Sequence, residues 1–317
     1  MYKIDIFVSD LNIDFFMNTF FKVPDKGDPS SILQLFPVYK LQLLCCRYWW
    51  LRKWEFRELS FPYWRIYWNK QDGANIYYSG VEYSLAKDKI VLIAPNTPFA
   101  AKLYNNTIPV EGYELEGGRV GETETEEQLV SKGNIIHLFI HFNIGMPYDN
   151  ISPGIFIFDI NDHLYNKLSV IINHLSVDSA PFDFFSMLAI QCLINDLLSE
   201  IPESSWNSVS RDHRIVNILS FIENNLNDKL YNEKLAENAF LSTNAFTRLF
   251  RKEVGVSPQR YVRQKRIDQA CVLLHHSFLT IDDVAFQSGF ANRFHFSREF
   301  KSQIGLSPAI YRNELKY

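Results

Sequence analysis

Phe246-Thr247-Arg248-Leu249-Phe250-Arg251 and Gly255-Val256-Ser257-Pro258 recur fifty residues later as Phe296-Ser297-Arg298-Glu299-Phe300-Lys301 and Gly305-Leu306-Ser307-Pro308. Tyr261 matches Tyr311 at the same offset, and upstream Leu235-Ala236 matches Val284-Ala285 with one residue fewer between. So many ordered matches are an internal duplication, which decides the architecture of this part of the chain. Each copy reads as helix, short turn, helix. Thr280-Ile281-Asp282-Asp283 has the form of a capping box, and Gly289 stands where a left-handed helix end is wanted. In the first copy the cap position falls on Tyr231, and Phe240-Leu241-Ser242 forms the turn, with Ser242 capping the next helix. Gly255 and Gly305 end the second helix of each pair, and the Ser-Pro after each starts another.

The faces of these second helices separate cleanly. Phe246, Leu249 and Phe250 point inward, as do Phe296, Phe300 and Ile304. The opposite face of the first copy, predicted near 243–254, carries Asn244, Thr247, Arg248 and Arg251. That of the second, near 292–304, carries Phe294, Ser297, Arg298 and Lys301, with Arg293 and His295 at its leading end. Amide, hydroxyl and guanidinium groups on one face are what reading base edges and phosphates in a major groove requires. An exposed polar face can equally be a solvated one, and helical repeats also build protein-binding solenoids. Between the copies, Ile267, Ala270, Cys271 and Leu274 mark a connecting helix over about Gln259 to His275. It would span about 26 Å, against about 34 Å between successive major grooves on one side of DNA.

Charge favours the nucleic-acid reading. The whole chain of 317 residues has a formal charge of −4, which alone argues against a polyanion partner. Residues 1–210 hold 16 Lys and Arg against 25 Asp and Glu, net −9, whereas residues 211–317 hold 16 against 11, net +5. A basic module is joined to an acidic one. Pro202 to Ser210, with four serines and no sustained periodicity, reads as the linker.

The first half is of a different kind. Between Tyr48 and Trp68, ten of 21 residues are aromatic. Short segments follow, separated by turn residues: Trp64 to Trp68, Asn75 to Tyr78, Ile90 to Ile93, Ile135 to Phe142 and Ile155 to Phe158. They read as a β-sandwich or small barrel. After Asp159 the period becomes helical, with Leu164, Leu168, Ile171, Ile172 and Leu175 on one face, then Phe185, Leu188, Ala189 and Cys192 on another. Gln71-Asp72-Gly73, Pro95 to Pro98 and Gly117-Gly118 read as turns. The acidic run Glu111 to Glu127 reads as a solvated loop.

Residues 212–317 resemble the DNA-binding domain of the AraC/XylS family of transcription regulators, through the motifs quoted above and Gly289-Phe290. The resemblance implies two helix-turn-helix units joined by a long helix, on a two-domain α+β chain. Residues 1–200 would be a cupin-like effector-binding and dimerisation domain, 201–211 a linker and 212–317 the DNA-binding domain. The first half is similar to the family's effector domain through Trp64 to Phe99 and Leu138 to Phe142. DNA-facing residues are then expected at Ser242, Asn244, Thr247, Arg248, Arg251, Arg293, Phe294, His295, Arg298 and Lys301. Phe294 departs from the polar pattern; it would meet a thymine methyl or simply pack. An effector, a sugar or an aromatic compound in the family, would lie in the barrel, with Trp50, Arg65, Tyr67 and His141 as candidate lining residues. The implied partners are an operator duplex, a small-molecule effector, RNA polymerase and a second copy of the chain.

Other classes are disfavoured. Hydrophobic content of 47% with 13 Gly and 13 Pro excludes a disordered or collagen-like chain. Four cysteines exclude a disulfide scaffold and fit a reduced compartment, the cytoplasm. No stretch reads as a membrane span, and the N-terminus has no signal-peptide layout. A metal-dependent cupin enzyme would need several histidines on one metal. His137 and His141, four residues apart on a strand, are about 13 Å apart and read as satisfied or surface groups. Cys45-Cys46 reads as core. No catalytic residue, metal or cofactor is therefore expected, and the alternatives are a constitutive regulator whose barrel only dimerises and a metal-dependent cupin enzyme fused to a DNA-binding domain.

Overall fold

The computed structural model describes residues 40–110, 112–145, 148–176, 181–206 and 212–315. Part of the expected 201–211 linker and the first 39 residues of the expected effector domain lie outside them. Nine strands form one antiparallel sheet: β1 (Gln42–Leu59), β2 (Trp64–Asn69), β3 (Ala74–Tyr78), β4 (Val81–Leu85), β5 (Lys89–Ile93), β6 (Phe99–Leu103), β7 (Tyr113–Arg119), β8 (Ile135–Asn143) and β9 (Ile155–Asp159). The hydrogen-bonded order is β4-β3-β6-β1-β8-β2-β5-β9, with β7 also on β1. The expected barrel is thus a curled half-barrel. The β3–β4 hairpin turns on Ser79 and Gly80, both with positive φ, the backbone of a tight hairpin turn.

β1 organises the sheet because it is long enough to pair with β8 through one half and with β6 and β7 through the other. Side chains alternate along it. Cys46 and Tyr48 join Trp64, Ile66, Trp68, Leu138, Ile140 and Phe142 in a core that also takes in the following helices. Leu51, Tyr67, Val91, Ile93, Phe99 and Ile135 belong to a second core on the other face.

The acidic run is not simply a loop. Tyr113–Arg119 pairs with β1, opposing Phe56 to Trp49. Gly117 and Gly118 are strand residues rather than a turn: a Cβ on Gly117 would lie 2.4 Å from the Trp50 carbonyl oxygen, and one on Gly118 2.7 Å from the Trp50 indole nitrogen. The absence of side chains lets the Trp49-Trp50 segment lie against β7. Thr125 then caps α1 (Glu126–Ser131) in a reciprocal capping box with Gln128.

Two helices cover the first core, α2 (Asp162–Ser176) and α3 (Phe184–Ser199). In α2 Leu164, Leu168 and Ile171 are buried as expected. In α3 the buried residues are Ser186, Ile190, Leu193, Ile194 and Leu197. Phe185 and Leu188 are 76% and 38% exposed and Cys192 is exposed, so most of the expected stripe faces out, while Ala189 packs against the core. This helix is apolar nearly all round, and periodicity alone does not choose its face.

The remaining helices are α4 (His213–Asn224), α5 (Asn232–Asn238), α6 (Thr243–Val254), α7 (Pro258–His276), α8 (Ile281–Gln287), α9 (Arg293–Ile304) and α10 (Pro308–Leu315). The duplication is visible in three dimensions. Phe246 and Phe250 pack with Leu235, Ala236 and Tyr261, and Phe296 and Phe300 pack with Val284, Ala285 and Tyr311. Gly255 and Gly305 end α6 and α9 in the left-handed conformation. Gly289 does the same after α8, where a Cβ would fall 2.0 Å from the Leu226 carbonyl oxygen. The equivalent residue of the first copy is Phe240, at φ 55° and 88% exposed.

Candidate nucleic-acid interface and interdomain cavity

The second helix of each pair is oriented by its buried aromatic residues, so its opposite face is fixed outward. On α6, Asn244, Arg248 and Arg251 are exposed and Thr247 is half-buried. On α9, Arg293, Phe294, His295, Arg298 and Lys301 are exposed. Phe294 is 85% exposed, so it does not pack against the domain. Thr247 Oγ1 donates to the Thr243 carbonyl at 2.8 Å, and Ser242 Oγ accepts from the Ala245 N–H as the N-cap of α6. Asn292 does the equivalent for His295. Arg293 lies 3.3 Å from Asp282 across the turn. No ion pair holds Arg248, Arg251, Arg298 or Lys301 among the described residues. Paired helices thus present cations that the domain does not neutralise. The connecting helix α7, at 19 residues, spans about 28 Å.

The second site lies where α7 ends on the sheet. A cavity of about 410 Å³ is bounded by β1, β2, β8, the end of α7 and the loop after it. Arg65, Tyr67 and His141 line it. Trp50 does not: its ring belongs to the helix-facing core, and its neighbour Trp49 lines the cavity instead. Strand parity is the reason, since a step of one residue reverses the face. Leu44, Cys45, Phe61, Phe139, His275 and His276 also contribute. Cys45, expected as core, is a wall residue, while Cys46 is core. Lining residues from the C-terminal region were not foreseen, because nothing in the sequence pairs the end of a connecting helix with a strand face.

The cavity has an aromatic body and one buried charge. Arg65 is 1% exposed, and among the described residues its guanidinium meets no carboxylate and makes no well-aligned hydrogen bond, the Tyr67 hydroxyl being a polar neighbour that it stabilises. Its Cζ lies 4.6 Å from the Phe61 ring centroid and 4.5 Å from that of Phe99. Such stacking offsets part of the lost hydration of a cation. Burial raises the Tyr67 phenol pKa, with the Arg65 charge opposing.

Of its two strand histidines, only His141 differs from the expectation. His137 is satisfied, with Nδ1 2.6 Å from Asn69 Oδ1, and burial holds its pKa down at about 3. His141 is 5% exposed, and neither ring nitrogen has a partner. Burial first, then the neighbouring His276, His275 and Arg65, push its pKa well below the usual value. Burial also drives the Cys45 thiol up to about 12.

The joint is extensive. Phe61 and Tyr63, from the β1–β2 turn, sit in the same apolar cluster as Ile267, Ala270, Cys271 and Leu274 of α7. The Tyr63 hydroxyl and His275 Nδ1 share a hydrogen bond. Asp149 accepts from the Trp64 indole N–H and the Ile144 and Gly145 N–H groups, and its carboxylate is stabilised by Lys265 of α7. Burial nevertheless leaves its pKa raised. Trp206 packs at 5.8 Å from the Trp64 ring.

Residues 235–314 match the family model described as a helix-turn-helix domain. The transcriptional activator RhaS of Escherichia coli O139:H28 is 32% identical over 158 residues, 48% of this chain and 56% of that protein. The probable transcriptional regulator LumQ of Photobacterium leiognathi is 32% identical over 123 residues, 39% of this chain and 48% of that protein. The chain spans about half the length of the curated relatives it matches. Among solved structures, the DNA-binding domain of AdpA in complex with a target DNA is 31% identical, covering 32% of this chain and 90% of that one, at a TM-score of 0.31. ToxT from Vibrio cholerae is 14% identical, covering 88% and 99%, at 0.45. Residues 235–314 are therefore a helix-turn-helix domain of the AraC type, and the curated proteins that the chain resembles through this region are transcription regulators.

Proposed function

We propose that this protein is an effector-responsive, DNA-binding transcription activator of the cytoplasm. The observation that carries the reading is the duplicated helix face, with Arg248 and Arg298 at matching positions and no acidic partner for either among the described residues. Arg248 with Asn244 and Thr247, and Arg298 with Arg293, Phe294 and His295, read base edges in successive major grooves. Phe294, which the domain leaves uncovered, meets a thymine methyl. Arg251 and Lys301 contact phosphates, and Ser242 serves through its cap, which aims the first turn of α6.

The effector occupies the cavity. A buried guanidinium without a carboxylate partner is costly unless a ligand supplies the negative charge. The effector is accordingly an aromatic compound bearing a carboxylate or similar acid group, which Arg65 receives while the aromatic walls hold its body. A neutral sugar would leave the charge uncompensated. Because the walls come from both the sheet and the end of α7, occupancy biases how the DNA-reading helices are held, as effector coupling requires. The outward stripe Phe185, Leu188 and Cys192 on α3 serves a homodimer, and RNA polymerase is the further partner of an activator. Among the described residues no helix is long and apolar enough to cross a membrane.

Selection of bound duplexes from a random pool with the full chain tests this reading, followed by titration of the selected operator with and without an aromatic acid. A recovered motif with two half-elements about one helical turn apart, bound differently with the acid present, is expected. Recovery of no motif would overturn the DNA assignment, and an operator affinity indifferent to every acid would overturn the effector assignment.

A further inference from the structure

Three potential metal ligands meet at one wall of the cavity. Cys45 and His141 are direct cross-strand partners in the β1–β8 ladder, which puts their side chains on one face a few ångströms apart. His276 arrives from the last turn of α7. Its ring centroid is 5.2 Å from that of His141, with the planes at 71°. The Cys45 sulfur and one nitrogen from each histidine all lie within 4.8 Å of one another. Among the described residues both His141 ring nitrogens and His276 Nε2 lack a hydrogen-bond partner, the Cys45 sulfur accepts from the His141 backbone N–H, and His141 is only 5% exposed. Buried imidazole nitrogens are ordinarily paired, so an unused set converging with a thiol points to a missing ligand.

We infer that Cys45, His141 and His276 form a three-ligand site for a thiolate- and imidazole-preferring ion, zinc(II) or copper(I), that clips the sheet to the end of the connecting helix. One sulfur and two imidazoles suit these ions, and carboxylate-preferring magnesium or calcium does not fit the set. Tetrahedral zinc with such ligands places neighbouring donor atoms about 3.5 Å apart, so separations of up to 4.8 Å need a contraction of at most about 1.3 Å. Rotation about the side-chain bonds of half-buried Cys45 and His276 supplies it. The fourth position opens on the cavity. Charge separates the two ions: a thiolate neutralises copper(I) but leaves zinc(II) with one positive charge near Arg65, so zinc calls for an anion in the open position. The ligands come from two regions of the chain, so the ion stabilises the joint rather than either region alone. The site rests on its own geometry and stands whether or not an aromatic acid is the effector.

The test uses the reduced, metal-free full chain with cobalt(II) as the zinc probe and copper(I) supplied against a chromophoric chelator. Binding of one equivalent is expected, with a sulfur-to-cobalt charge-transfer absorption that zinc abolishes for a zinc site, or chelator-resistant copper(I) for a copper site. The bound ion raises the thermal midpoint of the wild type. Cys45→Ser loses the charge-transfer band and the thermal shift, His276→Gln weakens binding by at least tenfold, and Cys192→Ser changes neither. His276 is at the rim of the cavity, so its variant keeps the test open if Cys45→Ser folds poorly. Failure of both ions to bind at one equivalent, or binding unchanged in Cys45→Ser and His276→Gln, overturns the inference.

Discussion

The Tyr63 hydroxyl, on the turn that enters β2, donates to His275 Nδ1 at the end of α7. Burial and the adjacent His276 keep this imidazole neutral and able to accept. The bond joins the sheet to the helix that connects the two helix-turn-helix units. Tyr63→Phe removes the donor and leaves the nitrogen unpaired. A stability loss of about 1–2 kcal/mol is expected in urea unfolding. Operator affinity should become less sensitive to effector, and unchanged sensitivity would show that coupling travels elsewhere.

Arg248 and Arg298 hold corresponding places in the two copies, so their effects should be parallel. Replacement of either by Ala is expected to weaken operator binding by about 1–3 kcal/mol for a base contact. Specificity should relax in one half of the site, a different half for each variant. A uniform loss over all sequences, with a shallower salt dependence, would instead place that arginine on phosphate.

Arg65→Met should have opposite effects on the empty and the filled protein. Without ligand, removing an unpaired buried charge is expected to stabilise the chain, by about 1–4 kcal/mol where the replacement packs well. The thermal shift given by an aromatic acid should vanish. A fall in stability without ligand would mean that the guanidinium already has its counterpart.

His137 sets a pH dependence. Its folded pKa of about 3 lies below the usual 6.5, so below about 6.5 the unfolded chain takes up a proton that the folded chain refuses. Its contribution is intact above that pH and shrinks as pH falls towards 3, by about 1.4 kcal/mol per pH unit at most. Unfolding of metal-free protein between pH 7 and 5 measures the slope. His137→Gln should reduce it by one proton, and an unaltered slope would assign the uptake to other groups.

Phe240 occupies a left-handed backbone position with its side chain 88% exposed. Phe240→Gly relieves strain of about 1–2 kcal/mol, partly offset by the greater freedom of the unfolded glycine. A net gain of about 0.5–1 kcal/mol in chemical denaturation is expected.

The C-terminal architecture was legible because its signals are local. Glycines after helices, hydroxyl caps and phenylalanines at helical spacing each act within one turn, and duplication presents the same pattern twice. The predicted limits 243–254 coincide with those of α6. The first half was legible only where strands are short and apolar. The Gly117-Gly118 pair suggested a turn because glycine marks both turns and close backbone approach, and only the neighbouring strand distinguishes them. Trp49 and Trp50 are chemically identical, so their assignment to opposite faces depends on a register that composition does not contain. The direction of the Phe185 stripe was not legible for a related reason, since α3 offers an apolar face to the core and another to the exterior. The meeting of Cys45, His141 and His276 required both a strand register and the docking of a helix more than a hundred residues downstream.

The alternation along β1 and β8 has a further consequence. Odd-numbered residues such as Cys45, His137, Phe139 and His141 meet the cavity, whereas Cys46, Tyr48, Ile136, Leu138 and Ile140 anchor the layer beneath α2 and α3. The cavity wall and the platform under the helices are therefore written in interleaved letters of the same strands. Either alphabet can be rewritten without erasing the other, so the lining of the cavity can change while the helix-bearing layer stays intact.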